Sequence, residues 1–304
     1  TRRMSERRGV GELRIGTSGW DYTRGEASWR GLFYPFTQPK GFDALAYYAG
    51  RFNTVEINNT FYRPASPEIA RAWVERTPNG FLFSVKLWEK FTHPREFARR
   101  NPRLDPQLAD ADVDEVRRGL DPLAEADKLG AVLIQYPASF KNTPENRDAL
   151  EWLLRTFGIY RCAVELRDRT WSDDVAATLK LLNGHRAAWT QIDEPKFRGS
   201  IRQNQLPNIE GFYYLRLHGR NASKWWRHGK AWERYDYLYG ETELNEFAET
   251  LDAVRRIVPL TFGYLNNHAN AQAAVNAEQL KRILGQERGE YSKELLDRYP
   301  QLAG

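Results

Sequence analysis

VEINNTFYR, residues 55–63, places a glutamate inside a segment that otherwise has the character of a buried strand. Successive side chains of an extended chain alternate faces, so Val55 and Ile57 share one face while Glu56 and Asn58 share the other. A parallel strand covered on both faces should be almost continuously hydrophobic. This one is not, and neither are its neighbours in the sequence. In CAVELR, Val164 and Leu166 alternate with Glu165 and Arg167; in FSVKLW, Val85 and Leu87 alternate with Lys86. In YYLRLHG, Leu215 and Leu217 alternate with Arg216 and His218. Gln135, Gln191, Asp193, Tyr264 and Asn266 extend the polar series in three further runs. If the apolar sets pack against helices, the polar sets all point into one interior.

The runs recur along the chain as expected strands at Leu13–Gly16, Thr54–Asn58, Phe81–Lys86, Ala131–Gln135, Cys162–Arg167, Ala187–Asp193, Phe212–His218 and Leu260–Asn266. Amphipathic segments separate them. SPEIARAWVERTPNG and TPENRDALEWLLRTFG each open with a capping hydroxyl followed by proline and close near glycine, the usual punctuation of a helix. A longer helical pattern over residues 105–129 is expected to break at Pro122. Only residues 194–211, between the sixth and seventh strands, lack a convincing helix. Eight strands alternating with helices over 304 residues predict a single α/β domain, a (β/α)8 TIM-type barrel of parallel strands with the sixth helix poorly formed or missing. The expected divisions are a basic tail at 1–12, the barrel at 13–285 and a C-terminal extension at 286–304. There is no G-x-G-x-x-G or Walker loop for a nucleotide-binding open sheet, and GTSGW (16–20) does not have the spacing of a nucleophile elbow.

Composition narrows the partners. Hydrophobic residues make up 41% and charged residues 28%, as in ordinary globular proteins. Of the formal charge of +5, Arg2, Arg3, Arg7 and Arg8 against Glu6 supply +3, leaving the remaining chain near neutrality. An argument for nucleic acid must therefore be local rather than global. No apolar run reaches the ~20 residues of a membrane span, and no hydrophobic segment follows the N-terminal arginines, so a cytoplasmic protein is expected. The single cysteine, Cys162, lies in an apolar run and reads as a small buried side chain.

IGTSGW (15–20), TVEINNTFYR (54–63), FSVKLWEKFTH (83–93), LIQYPASF (133–140), AVELRDRTW (163–171), YLRLHGR (214–220) and YLNNHANAQAAVNA (264–277) occur in that order. Together they resemble the YecE-like family, domain of unknown function 72, over about residues 13–284. The resemblance implies a barrel similar to those of the endonuclease IV and xylose isomerase type, with no assigned reaction. It marks Glu56, Asn58, Thr60, Tyr62, Lys86, His93, Glu165, Arg167, Arg216, His218, Gly219, Asn266 and Asn267 as motif positions. After Asn267 the family pattern leads to a glycine-containing loop, whereas this chain has His268, Ala269 and Asn270.

This residue set suits an anionic, phosphate-containing substrate. Glu56 and Glu165 are the acid/base candidates, and His218 is a proton shuttle or hydrogen-bond donor. Lys86, Arg167 and Arg216 would stabilise charge, with Trp20, Asn58, Tyr62, Asn266 and Asn267 orienting the ligand. The loop GRNASKWWRHGKAWERYDYLY interleaves Arg220, Lys224, Arg227, Lys230 and Arg234 with Trp225, Trp226 and Trp232, a pattern that could track and stack a nucleic acid. Endonuclease IV-like phosphodiester chemistry is thus the leading expectation. With five histidines and no H-x-H or H-E-x-x-H, no cofactor is required, although Glu56, Glu165, Asp193 and His218 could hold one divalent ion. Three other readings stay open. Glu56 and Glu165 with Trp20, Trp29, Trp88 and Trp171 would suit a sugar; the interior could be a non-enzymatic anion site; and Lys86 could form a Schiff base. A purely structural salt-bridge network would use the same charges.

Overall fold

A computed structural model describes residues 10–287 and 289–303; the arginines of the basic tail lie outside them. The strands are β1 (Glu12–Thr17), β2 (Thr54–Ile57), β3 (Leu82–Lys86), β4 (Leu129–Gln135), β5 (Cys162–Glu165), β6 (Ala188–Trp189), β7 (Gln191–Asp193), β8 (Tyr213–Leu217) and β9 (Leu260–Leu265). All ladders are parallel, and they form two sheets, ordered β1-β9-β8-β7 and β2-β3-β4-β5-β6.

The expected sixth strand is the one that divides. At Thr190 the ladder breaks, and its two halves belong to different sheets. The break has a local cause: the Gln203 side chain donates to the Thr190 carbonyl at 2.8 Å and accepts from the Ile192 amide at 3.0 Å, replacing ladder bonds. Gln203 belongs to the segment expected to lack a helix, and residues 194–211 contain none. This segment lies along the strands instead, with Ile201 fully buried and its amide bonded to the Arg167 carbonyl.

The helix caps follow the sequence grammar. Ser66 and Thr143 accept from the Ile69 and Asn146 amides, with Pro67 and Pro144 in the first turn. The helix Asp110–Glu125 runs through Pro122 rather than breaking there. Three helical turns precede that proline, so a single lost backbone bond near the C-terminus is tolerated.

Parity sorts the strands as expected. Val55, Ile57, Val85, Leu87, Val132, Ile134, Val164, Leu166, Leu215 and Leu217 join the large core shared with the helices. The alternate residues form a separate small cluster between the sheets, including Ala131, Leu133, Ala163, Phe212, Tyr214, Phe262 and Tyr264. Towards the strand C-termini this interior turns polar. Side chains of β8 and β9 tie the sheets across it. Tyr264 Oη bonds Thr54 Oγ1 at 2.6 Å and Ser84 Oγ at 2.9 Å, and Arg216 reaches Glu56, Gln135 and Glu165.

The loop after β9 has no glycine, yet Asn270 (φ 52°) and Ala271 (φ 65°) both take the left-handed conformation. Neighbours hold it there. Trp29 Nε1 donates to the His268 carbonyl at 2.6 Å, and Tyr299 Oη, near the C-terminus, donates to the Asn270 carbonyl at 2.6 Å. A left-handed alanine costs about 1–2 kcal/mol. Ala271→Gly is therefore expected to raise stability by roughly 1 kcal/mol in urea unfolding, and an unchanged or lower midpoint would show that the loop is unstrained. Among the described residues beyond 286, Leu295, Tyr299 and Leu302 are buried.

Candidate active site

The polar interior is organised around Arg216, which is 1% exposed. Its Nε and Nη2 donate to the two oxygens of Glu56 at 2.9 and 2.6 Å; its Nη1 donates to Glu165 Oε2 at 2.5 Å and Gln135 Oε1 at 3.1 Å. Tyr214 Oη donates to Glu56 Oε2 at 2.7 Å. Arg167 then grips Glu165 Oε1 from above, through Nε at 2.8 Å and Nη2 at 2.6 Å. β2 and β5 thus bring both carboxylates to one guanidinium, and both are fully buried with their oxygens accepting from arginine. Burial pushes the Glu165 carboxyl up, but Arg216, Arg167 and His218 outweigh it and hold it well below the usual carboxylate range.

His218 is also fully buried. The Asn266 amide lies 2.9 Å from Nδ1, and Nε2 faces Arg167 Nη2 and Arg216 Nη1 at 3.4 Å and Glu165 Oε1 at 3.5 Å. Desolvation, together with Arg216 and Arg167, overcomes the attraction of Glu165 and lowers its pKa to about 3. His93 is lowered to about 3 by burial and by Lys86, and His268 to about 4 by burial. These rings bind protons only when the chain unfolds, from pH 6.5 downward. Stability should therefore fall as pH drops from about 6.5 towards 3, with the Glu165 contribution also lost as pH falls through its depressed value. Urea unfolding at pH 7, 6, 5 and 4 checks this; a flat profile would contradict the buried neutral rings.

Lys86, half-buried at the end of β3, differs from the three buried lysines. Lys90 is bound by Asp112 at 2.8 Å, Lys128 by Val74 O, Thr77 O and Thr77 Oγ1, and Lys281 by Arg51 O and Glu278. Among the described residues, Lys86 Nζ has no hydrogen bond or ion pair; it sits 4.0 Å from the Phe61 ring centroid. Burial, then the charge of Arg216, brings its pKa from 10.5 down to about 7. A second cation is in the same condition. Arg234 is half-buried and stacks at 4.0 Å on Trp225; its Nε has no hydrogen-bond partner, and it pairs with no carboxylate among the described residues. Both Lys86 and Arg234 feel the charge of Arg167. Glu194 lies 3.5 Å from Arg167 Nη1 with its Oε2 unbonded, and burial raises its pKa.

The remaining expected residues divide. Trp20, Asn58 and Tyr62 line a cleft of about 550 Å³, together with Tyr22 and Arg76. Asn58 Oδ1 is buried without a partner, and Tyr62 is 61% exposed with Arg100 over its ring at 5.0 Å. Asn267 faces elsewhere, donating to Tyr237 O and Asn276 Oδ1. The basic–aromatic loop is not one open strip. Arg220 is held by Asp193 and Glu243, while the exposed Lys224 and Lys230 pair with Glu233 and Glu26; Trp225 is buried, and Trp226 and Arg227 are exposed.

The four-residue metal cluster expected from sequence is not assembled. Asp193 accepts from Arg220 and from Tyr239 Oη at 2.8 Å, and it is Glu194 that approaches Arg167. Among the described residues no three His, Cys, Asp or Glu side chains lie close enough to share an ion. Arg234 was legible only as one basic residue of the loop, and nothing in the sequence marks Glu194.

Comparison with known proteins agrees with the ordered motifs. The chain is 28% identical to UPF0759 protein YunF of Bacillus subtilis over 247 residues, 79% of this chain and 86% of that protein. It is 32% identical to UPF0759 protein YecE of Escherichia coli K12 over 128 residues, 42% of each. A crystal structure of a DUF72 family protein from Thermotoga maritima, 33% identical, superposes with a TM-score of 0.75 over 90% of this chain and 99% of that one. One from Enterococcus faecalis, 21% identical, shares the fold with a TM-score of 0.77 over 92% and 98%. The family description "Protein of unknown function DUF72" matches residues 14–300, and the chain belongs to that family.

Proposed function

We propose that the two sheets are arcs of one (β/α)8 barrel, and that its C-terminal mouth is an enzyme site for a small anionic, phosphate-bearing substrate. The continuity of chain from β6 to β7 and the parallel bridge Ser18–Glu56 between the arcs support the barrel. The observation that carries the ligand class is the pair Lys86 and Arg234, two half-buried cations without carboxylate partners among the described residues, while Glu56 and Glu165 are already committed to arginine. Sequestered charge without a partner is costly, and a bound dianion supplies the partner. The two carboxylates hold Arg216 and Arg167 in place beneath that ligand, a role that leaves them poorly suited to act as a glycosidase pair.

A thermal-shift comparison at constant ionic strength tests the class. Phosphate monoesters are expected to raise the melting temperature, and neutral sugars are not. Stabilisation by sugars alone would favour the carbohydrate reading. Salt-dependent binding of DNA that is lost in Arg227→Glu would move the site to the exposed edge of the loop.

A further inference from the structure

We infer that Lys86 is a nucleophilic amine that condenses with the carbonyl carbon of a phosphate-bearing aldehyde or ketone held in the mouth. The inference rests on the anion-binding reading and adds the chemistry of that site. An amine attacks only when its lone pair is free, and carboxylates suppress that by keeping lysine charged. Lys90, Lys128 and Lys281 are each tied to oxygen acceptors. Lys86 ends β3 with its Nζ free of oxygen acceptors among the described residues, 4.0 Å from the Phe61 ring centroid; burial and the positive field of Arg216 and Arg167 outweigh Glu165 and Glu56 and favour the uncharged amine. At neutral pH both forms of Lys86 are present: the ammonium shares a simple phosphate with Arg234, and the free amine meets a ligand's carbonyl while Arg234 and Arg167 stay charged and keep the phosphate.

The reaction balances without an oxidant. The Nζ lone pair forms a C–N bond as the carbonyl π pair moves to oxygen. Two N–H protons and that oxygen then leave as water, giving an imine between Lys86 and the ligand. In the assay, cyanoborohydride delivers hydride to the imine carbon and water protonates the nitrogen, leaving a stable secondary amine.

The probe is glycolaldehyde phosphate with cyanoborohydride at pH 7, followed by peptide mass spectrometry. A single dominant adduct on Lys86 is expected, at least tenfold above that on exposed lysines such as Lys293, and suppressed by inorganic phosphate. Lys86→Arg should lose the adduct while the labelling of exposed lysines stays as in the wild type. Labelling spread over surface lysines, or unaffected by phosphate, overturns the inference. A phosphate-induced shift with no Lys86 adduct overturns the amine chemistry and leaves the anion site standing; absence of both overturns the two together.

Discussion

Arg216→Met is expected to destabilise the protein by about 3–5 kcal/mol, the range for removing one partner from a buried ionic cluster. The arginine supplies four of the hydrogen bonds that satisfy Glu56, Glu165 and Gln135. Without it, Glu56 keeps only Tyr214 among its side-chain donors, and Glu165 keeps Arg167 and the long contact to His218. Two carboxylates with no exposure would then face one another across the interior. One of them must take up a proton or water must enter, and either outcome costs the fold. Glu56→Gln/Glu165→Gln/Arg216→Met removes the orphaned charges and should recover part of the loss, because the three residues form one coupled unit. Urea unfolding of both variants checks the pair of expectations. If Arg216→Met alone changed stability by less than 1 kcal/mol, the cluster would not be the structural keystone of the interior.

Lys86→Met is expected to act in the opposite direction on stability while abolishing function. Its charge contributes a penalty in the folded protein below pH 7, where it is protonated in both states. The penalty fades as pH rises from about 7 towards 10.5, because only the unfolded chain still holds the proton. Wild-type stability should thus climb over that window, with a slope below the limit of about 1.4 kcal/mol per pH unit for one proton. Lys86→Met should be more stable than wild type at pH 7 and lack the climb. Affinity for a phosphate monoester should fall tenfold to a hundredfold, corresponding to one charge-assisted hydrogen bond of about 1.5–3 kcal/mol. Gain of stability with loss of ligand is what separates a binding residue from a structural one. A destabilised variant with unchanged affinity would assign Lys86 to the structural network.

The interior was legible in the sequence wherever strands keep strict alternation. Glu56, Lys86, Glu165 and Arg216 lie in ladders without an irregularity at their own positions, and Arg167 and His218 lie just after β5 and β8, in hydrogen-bond or ion-pair reach of Glu165. The ladder is interrupted at Thr190, where a glutamine side chain takes over its bonds; beyond it Asp193 is held by Arg220 and Tyr239, and Glu194, which the sequence does not mark, approaches Arg167. Partnership was not legible either. Sequence shows that acids and bases share an interior, but not that both acids would converge on Arg216 and leave Lys86 alone. The basic loop misleads for a similar reason. Its alternation of cations and rings resembles an open stacking strip, yet the fold buries Trp225, pairs Arg220, Lys224 and Lys230 with acids, and leaves Arg234 stacked on the buried tryptophan. The unglycinated turn at Asn270–Ala271 depends on Trp29 and Tyr299, residues remote in sequence.

Isothermal titration of inorganic phosphate at fixed ionic strength, into wild type and into Lys86→Met/Arg234→Met, bears most directly on the central claim. The wild type should bind one phosphate per chain, and the double variant, folded and more stable, should give no saturable heat. Equal binding by both proteins would contradict an anion site built on the two unpaired cations.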